Sequence, residues 1–192
     1  QAFVGRLTSS GALDHTFGNH GLVLVADHRL TKLDIKALSE ASLNQFYLAG
    51  RGLDLNSSPT GFVMRFNQDG SVDSNFSAGL FDLIPSAIGS YVSSSAMQLQ
   101  LRADGHLLVG AEYSQAAGNV DVALLQLNTD GTLDTGSFGH SASGFTVFSE
   151  IDHTSATEER LSVMKLDPVD GSLVIAGQYK WLTDPKLYVA RF

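Results

Sequence analysis

Hydrophobic and polar positions alternate along this chain in short runs that favour β-strands. The clearest run is Met97 to Leu101, where apolar residues at 97, 99 and 101 are separated by glutamines. No segment carries a long apolar stripe at helical spacing. The best helical candidate, residues 27–42, fits a strand equally well. The pattern therefore predicts an all-β protein.

One block of sequence recurs at intervals of about 60 residues. Its last apolar residue before a turn is Leu7, then Phe66, then Leu127. A fourth copy begins at Tyr188 and stops at Phe192, where its turn would start. A second element, an apolar strand that ends in glycine, recurs between these blocks at Gly50, Gly110 and Gly177. An internal repeat of this length indicates an array of similar structural units.

Each period is predicted to contain four antiparallel strands. The expected strands are 21–26, 33–41, 44–50 and 61–66 in the first period, 79–84, 95–102, 106–112 and 121–127 in the second, and 144–149, 161–166, 172–178 and 187–192 in the third. Four antiparallel strands at a fixed period are typical of a β-propeller blade. A tandem hairpin solenoid is the alternative.

The repeated block resembles a known family. Its copies are residues 3–14, 62–73 and 123–134, and each is followed by the phenylalanine Phe17, Phe76 or Phe138. The pattern Phe-x-x-x-Arg-Phe-Asn-x-Asp-Gly-Ser-x-Asp resembles the delta-60 repeat of bacterial secreted and surface β-propellers. The first copy departs from it with Thr8 to Gly11 in its turn, and the third has one inserted residue. The resemblance implies a fold and an extracytoplasmic location in a bacterium. It implies no single activity.

The chain is expected to be one repeat domain, 1–192, with about three blades at 8–66, 67–127 and 128–192. Strand 3–7 is then left for a preceding blade or a partner's blade. Propellers usually have four to eight blades, and three would leave open sheet edges. We therefore expect the ring to be completed by another copy of the chain, by a companion chain, or by a longer array of which this chain is a fragment.

Composition limits the classes of partner and of chemistry that the chain can have. The 192 residues carry a formal net charge of -8 and only 12 Lys and Arg, which argues against nucleic acid as a partner. There is no cysteine, so a disulfide scaffold and a thiol nucleophile are excluded. No apolar run approaches the roughly 20 residues of a membrane-spanning helix.

Two of the repeat turns suggest calcium as a possible ion, although no cofactor is expected. Asp69 and Asp73 follow Asn67 at short spacing, and Asp130 and Asp134 repeat the arrangement. Calcium takes six to eight oxygen ligands, however, and each turn offers only three side chains. The alternative is that these residues brace the turns by side-chain-to-backbone hydrogen bonds.

The candidate ligand-binding residues are Tyr179, Lys180 and Trp181, which we expect in a loop between two strands. Aromatic faces stack on sugars or on protein side chains, and the loops of repeat scaffolds often carry binding function. The alternative is that Trp181 packs against a neighbouring blade. Tyr91 and Tyr113 are weaker candidates of the same kind.

No linear catalytic motif is present, which favours a chain that is not an enzyme, but the enzyme question stays open at this point. The leading hypothesis is a non-catalytic extracytoplasmic module for protein or glycan binding or assembly. One alternative is a hydrolase or lyase whose active site forms in the propeller channel or between chains. Another is a structural spacer of a surface protein.

Overall fold

The computed structural model describes residues 2–40, 45–83, 91–116, 118–148, 158–181 and 184–192; for Trp181 and Asp184 it describes the backbone alone. The described residues form thirteen antiparallel strands in four sheets and contain no α-helix. The ambiguous segment 27–42 contains strand β3. The predicted all-β class and its four-stranded antiparallel sheets are confirmed.

The four sheets follow one another along the chain. Sheet I has two strands, β1 (Ala2–Gly5) and β2 (Leu22–Val25). Sheet II has four, β3 (Thr31–Glu40), β4 (Phe46–Leu53), β5 (Pro59–Phe66) and β6 (Phe81–Leu83). Sheet III has four, β7 (Tyr91–Leu101), β8 (Leu107–Gln115), β9 (Val120–Leu127) and β10 (Phe145–Phe148). Sheet IV has three, β11 (Glu159–Leu166), β12 (Leu173–Trp181) and β13 (Asp184–Arg191).

The sheets are displaced by one strand from the predicted strand groups. The strands near 22, 81 and 145 each follow a repeat turn, and each pairs backwards with the strand before that turn. Each is therefore the last strand of the preceding sheet and not the first strand of the next one. Strand β1 lies outside sheet II and pairs with β2.

The recurring glycine of the second element has a steric cause. Gly50 and Gly177 lie opposite β-bulges in the first strands of their sheets, β3 and β11. A Cβ atom on either glycine would collide with a bulge carbonyl, that of Asp34 or of Arg160. Only glycine lets the two backbones approach this closely.

Three hydrophobic layers hold the four sheets together. One layer joins sheets I and II around Phe62 and Met64, and the second joins sheets II and III around Val63 and Tyr113. The third joins sheets III and IV around Leu124. Because side chains alternate along a strand, Phe62 and Val63 serve different layers. We call the face of each sheet that points to the next sheet its forward face, and the opposite side its back face.

Candidate assembly interface

Each repeat turn packs on the phenylalanine of the repeat before it. At the junction of sheets II and III, Phe76 is fully buried and lies beneath the turn that contains Gly131. The Arg65 guanidinium lies over the Phe76 ring, 5.0 Å from its centroid. Arg65 Nε donates to Asp73 Oδ2 at 2.8 Å, and Nη1 donates to the Thr129 carbonyl of the next turn at 2.6 Å. One arginine thus links its own repeat to the following one.

The junction of sheets I and II repeats this arrangement. Arg6 donates to Asp14 at 2.9 Å and to the Gln68 carbonyl of the next turn at 2.5 Å. Its guanidinium lies 4.8 Å from the centroid of the buried Phe17 ring. A Cβ atom on Gly70 would collide with Val23 and would lie only 3.1 Å from the Phe17 ring, so the turn glycine permits the close contact. Arg6 and Arg65 hold the same repeat position.

Backbone hydrogen bonds strengthen both junctions. The Gly18 amide donates to the Asp69 carbonyl at 2.8 Å, and the Ser77 amide donates to the Asp130 carbonyl at 2.7 Å. Both donors directly follow the buried phenylalanine, and both acceptors lie in the next repeat turn. We call this constellation of phenylalanine, following amide and preceding arginine the turn seat.

The third turn seat differs from the other two. Gln126 replaces the arginine and donates to Asp134 Oδ2 at 2.7 Å. Phe138 is only partly buried. A cavity of about 210 Å³ adjoins it, and its lining includes Thr146, Phe148 and Phe192. Phe192 holds the repeat position that precedes a turn, so this cavity lies where the next repeat turn would pack.

The four proposed calcium ligands all accept hydrogen bonds from protein groups. The hydroxyl and amide of Ser71 lower the pKa of Asp69, and those of Thr132 lower the pKa of Asp130. Among the described residues, no group of three or more His, Asp or Glu side chains is placed to hold a metal. The contacts fit turn bracing, and calcium binding stays a prediction.

The other two aspartates link the turn to its strand. Burial raises the pKa of Asp73, but hydrogen bonds from the Asn75 amide and from Arg65 outweigh it, so the pKa lies below its usual value. The Ser137 hydroxyl, the Gln126 amide group and the Gly136 amide lower the pKa of Asp134 to about 2. Both carboxylates are therefore held in the ionised form.

The expectation that Tyr179, Lys180 and Trp181 lie in a loop is wrong. All three belong to strand β12, where Trp181 pairs with Asp184 of β13. Tyr179 is partly buried and Lys180 is exposed. The Trp181 side chain lies outside the described part of the structure, so ligand binding here stays a prediction.

The two weaker aromatic candidates have structural partners. Tyr113 is fully buried in the second hydrophobic layer, and burial raises the pKa of its phenol. Burial likewise raises the pKa of Tyr91, whose hydroxyl donates to Asp121. The two rings pack edge to face at 5.6 Å. Tyr113 is thus closed to a ligand, and Tyr91 is committed to contacts within sheet III.

No sequence motif predicts the link between sheets III and IV at Glu112. This carboxylate is 8% exposed and accepts from the Arg160 guanidinium and from the Leu161 amide, both at 2.9 Å. Glu112 lies among strand residues without a motif, so only the long-range packing reveals its role.

A second cavity, of about 510 Å³, lies beside the first turn seat. Its polar lining includes Arg6, Glu40, Gln45 and Gln68. Phe46 provides an apolar wall and stacks on Phe66 at 5.1 Å. The cavity opens beside sheet I, for which the described part of the chain provides two strands.

Successive antiparallel sheets, stacked face to face and joined by a repeated turn, define a protein of the β-propeller class. Residues 46–76 and 102–136 match the family described as "Domain of unknown function (DUF5122) beta-propeller". The matched segments are repeats of a β-propeller family of the delta-60 type, which confirms the resemblance seen in the sequence. No curated protein matches the chain. The described residues contain no helix of the length and hydrophobicity needed to cross a bilayer.

Proposed function

We propose that this chain is a non-catalytic β-propeller module that assembles with further propeller blades through its two end sheets. The proposal rests on one observation: the same repeat position is buried inside the array and exposed at its ends. On the back faces, Phe62 is 0% exposed in sheet II, whereas its counterpart Phe3 in sheet I is 67% exposed. On the forward faces, Val63 and Leu124 are at most 2% exposed, whereas Val189 in sheet IV is 75% exposed.

The two exposed end faces are apolar over several residues. Phe3 is accompanied on the back face of sheet I by Leu22 and Leu24, both exposed. Val189 is accompanied on the forward face of sheet IV by Leu187, which is 80% exposed. Contiguous exposed apolar groups mark protein-binding surfaces. At each junction within the chain, the back face of one sheet packs on the forward face of the sheet before it. The exposed back face of sheet I and the exposed forward face of sheet IV are therefore the two kinds of surface that pack together.

The strand count supports the same proposal. Among the described residues, sheet I has two strands and sheet IV has three, whereas the two inner sheets have four. An open sheet edge presents unpaired backbone donors and acceptors, which readily pair with another chain. Both the faces and the edges of the end sheets therefore suit further blades, supplied by a second copy, by a companion chain or by a longer array of which this chain is a part.

The extracytoplasmic location belongs to this proposal and rests on the resemblance to bacterial surface propellers. The lack of cysteine fits it, because repeat packing and not disulfide bonding then stabilises the fold. A glycan ligand, a hydrolase or lyase site and a spacer role stay predictions.

Native mass in solution tests the proposal. We expect light scattering to give a mass above the 20.5 kDa of one chain. The variant Val189→Lys places a charge on the forward face of sheet IV and should return the protein to the monomer. Val169→Lys is the matched control, because Val169 is 91% exposed and lies in a turn. A wild-type protein that stays at 20.5 kDa at every concentration would contradict self-assembly.

A further inference from the structure

The turn glycines of the three repeats differ in what they contact. Gly11, Gly70 and Gly131 hold the same repeat position and share a left-handed backbone, with φ of 82°, 88° and 83°. A Cβ atom on Gly131 would lie 2.8 Å from the Ser77 amide nitrogen, and one on Gly70 would collide with Val23. A Cβ atom on Gly11 would meet nothing within 4 Å. The first repeat turn is therefore formed but has no seat among the described residues.

The first turn has the shape of the others despite its different sequence. The Thr8 amide donates to the Ala12 carbonyl at 2.8 Å, and the Gly11 amide donates to the Thr8 carbonyl at 2.9 Å. Asn67 and Gly70 make the same two bonds in the second turn, at 2.8 and 2.9 Å. A seat that accepts the second turn would accept the first, because the seat contacts backbone carbonyls and the glycine.

The third turn seat, in contrast, has no repeat turn packed on it among the described residues. Gly70 packs between Phe17 and Val23 at the first seat. By strand register, Val23 corresponds to Thr146, and Phe138 corresponds to Phe17. Both Thr146 and Phe138 line the cavity of about 210 Å³. Among the described residues, one turn thus lacks a seat and one seat lacks a turn.

The seat and the free edge of β13 adjoin each other. Strands β1, β5 and β9 hold one repeat position, and each pairs along its outer edge with the strand that follows its turn, β2, β6 or β10. Strand β13 holds the same position and pairs only with β12 among the described residues. A segment that brings a turn followed by a strand would satisfy both the seat and the edge.

We propose that residues 8–25 of a second copy, which carry the free turn and strand β2, bind the Phe138 seat and the outer edge of β13. This inference rests on the proposed assembly and specifies which segments of the two copies are in contact. Strands β1 and β13 occupy the same repeat position, so the donor's β1 must separate from its β2. The four residue pairs of β1 with β2 are then replaced by equivalent pairs of β13 with β2. Exchange of an identical element between copies is a low-cost route to assembly.

The exchange gives each chain three four-stranded sheets. Sheet IV receives β2 from the donor, and the donor's sheet II then covers the forward face that carries Val189. The contact is heterologous, because a turn on one copy meets a seat on the other, so it closes into a ring when the rotation permits.

The test compares two glycine variants by light scattering over a wide range of concentration. Gly11→Ala adds a Cβ that would collide with the seat. Gly118→Ala is the matched control, because Gly118 has φ of 92° and likewise has no atom within 4 Å of an added Cβ. Both variants therefore place an alanine in the left-handed region without a clash inside the chain. We expect Gly11→Ala to weaken self-association by about tenfold or more, as overpacking of a close contact does. Gly118→Ala should associate like the wild type.

A mixing experiment tests the heterologous contact. Thr146→Arg fills the seat but leaves the turn intact, whereas Gly11→Ala blocks the turn but leaves the seat intact. At a protein concentration just above that at which the wild type begins to associate, each variant alone should be monomeric, and a mixture of the two should form a one-to-one dimer. Wild-type association that Gly11→Ala leaves unchanged, or a mixture that stays monomeric, would overturn the exchange. If Val189→Lys still abolishes association in that case, the proposed assembly stands without it. A wild-type monomer removes both proposals.

Discussion

Replacement of Phe76 by alanine tests whether the turn seat contributes strongly to stability. Phe76 is fully buried beneath the next repeat turn and lies under the Arg65 guanidinium. Truncation of a buried phenylalanine costs about 3–5 kcal/mol. Loss of the cation–π contact adds about 0.5–1 kcal/mol. We therefore expect the free energy of unfolding to fall by about 4 kcal/mol, a large share of the roughly 5–15 kcal/mol that stabilises a typical domain.

The matched control is the same substitution at Phe138. Phe138 holds the same repeat position but is partly exposed, and no turn covers it within the described residues. Its truncation removes less buried surface and no arginine contact, so we expect a loss of about 2 kcal/mol. Both residues are phenylalanines that follow a repeat turn, so the difference measures the combined contribution of the seated turn and the arginine contact.

Urea denaturation followed by circular dichroism at low protein concentration gives the two free energies. Concentration must stay low because assembly would cover Phe138 and raise its contribution. Fluorescence of the single tryptophan reports separately on strand β12, which contains Trp181. Coincidence of the two probes shows whether the sheets unfold together. Equal losses at Phe76 and Phe138, or a loss below about 1 kcal/mol at Phe76, would refute the reasoning.

Two further predictions concern the polar groups of the seats. Arg65→Gln should lower the free energy of unfolding by about 1–2 kcal/mol in urea denaturation, because glutamine keeps the bond to the aspartate, as Gln126 does with Asp134, but loses the Thr129 carbonyl; an unchanged stability would argue against the arginine link. Asp134 has a folded pKa of about 2, below its unfolded value of about 4, so its stabilising contribution is complete above pH 4 and is lost as pH falls from 4 to 2. Asp134→Asn should flatten that part of the stability curve in acid titration, and an identical curve in the variant would contradict this assignment.

The sequence predicted the repeated architecture but not the assignment of strands to sheets. Alternation and the 60-residue period predict four strands per unit, and the two inner sheets have four. Periodicity does not state whether the strand after a turn pairs backwards or forwards. The hydrogen bonds that decide this join residues far apart in sequence, such as Leu125 with Phe145. The predicted strand groups therefore differ from the sheets by one strand.

The sequence predicted part of the candidate assembly interface. The recurrence of Phe17, Phe76 and Phe138 predicts a shared structural role, and the first two are buried between sheets. The arginine was part of the same repeat, yet its link to the next turn depends on how neighbouring sheets stack. The role of Glu112 could not be predicted from the sequence, because its partner Arg160 lies 48 residues away and belongs to no repeated pattern.

The substitution of Gln126 makes the junctions of this array unequal. The first two junctions are linked by arginines that reach the next turn, whereas the junction of sheets III and IV uses the pair of Glu112 and Arg160. The Arg160 side chain is 48% exposed and the Glu112 side chain 9%, so mobile ions can screen this pair from the arginine side. High ionic strength should therefore loosen sheet IV before the other sheets. Protease digestion in concentrated salt would then begin at the carboxyl-terminal sheet, and the arginine-linked portion would survive as a resistant fragment.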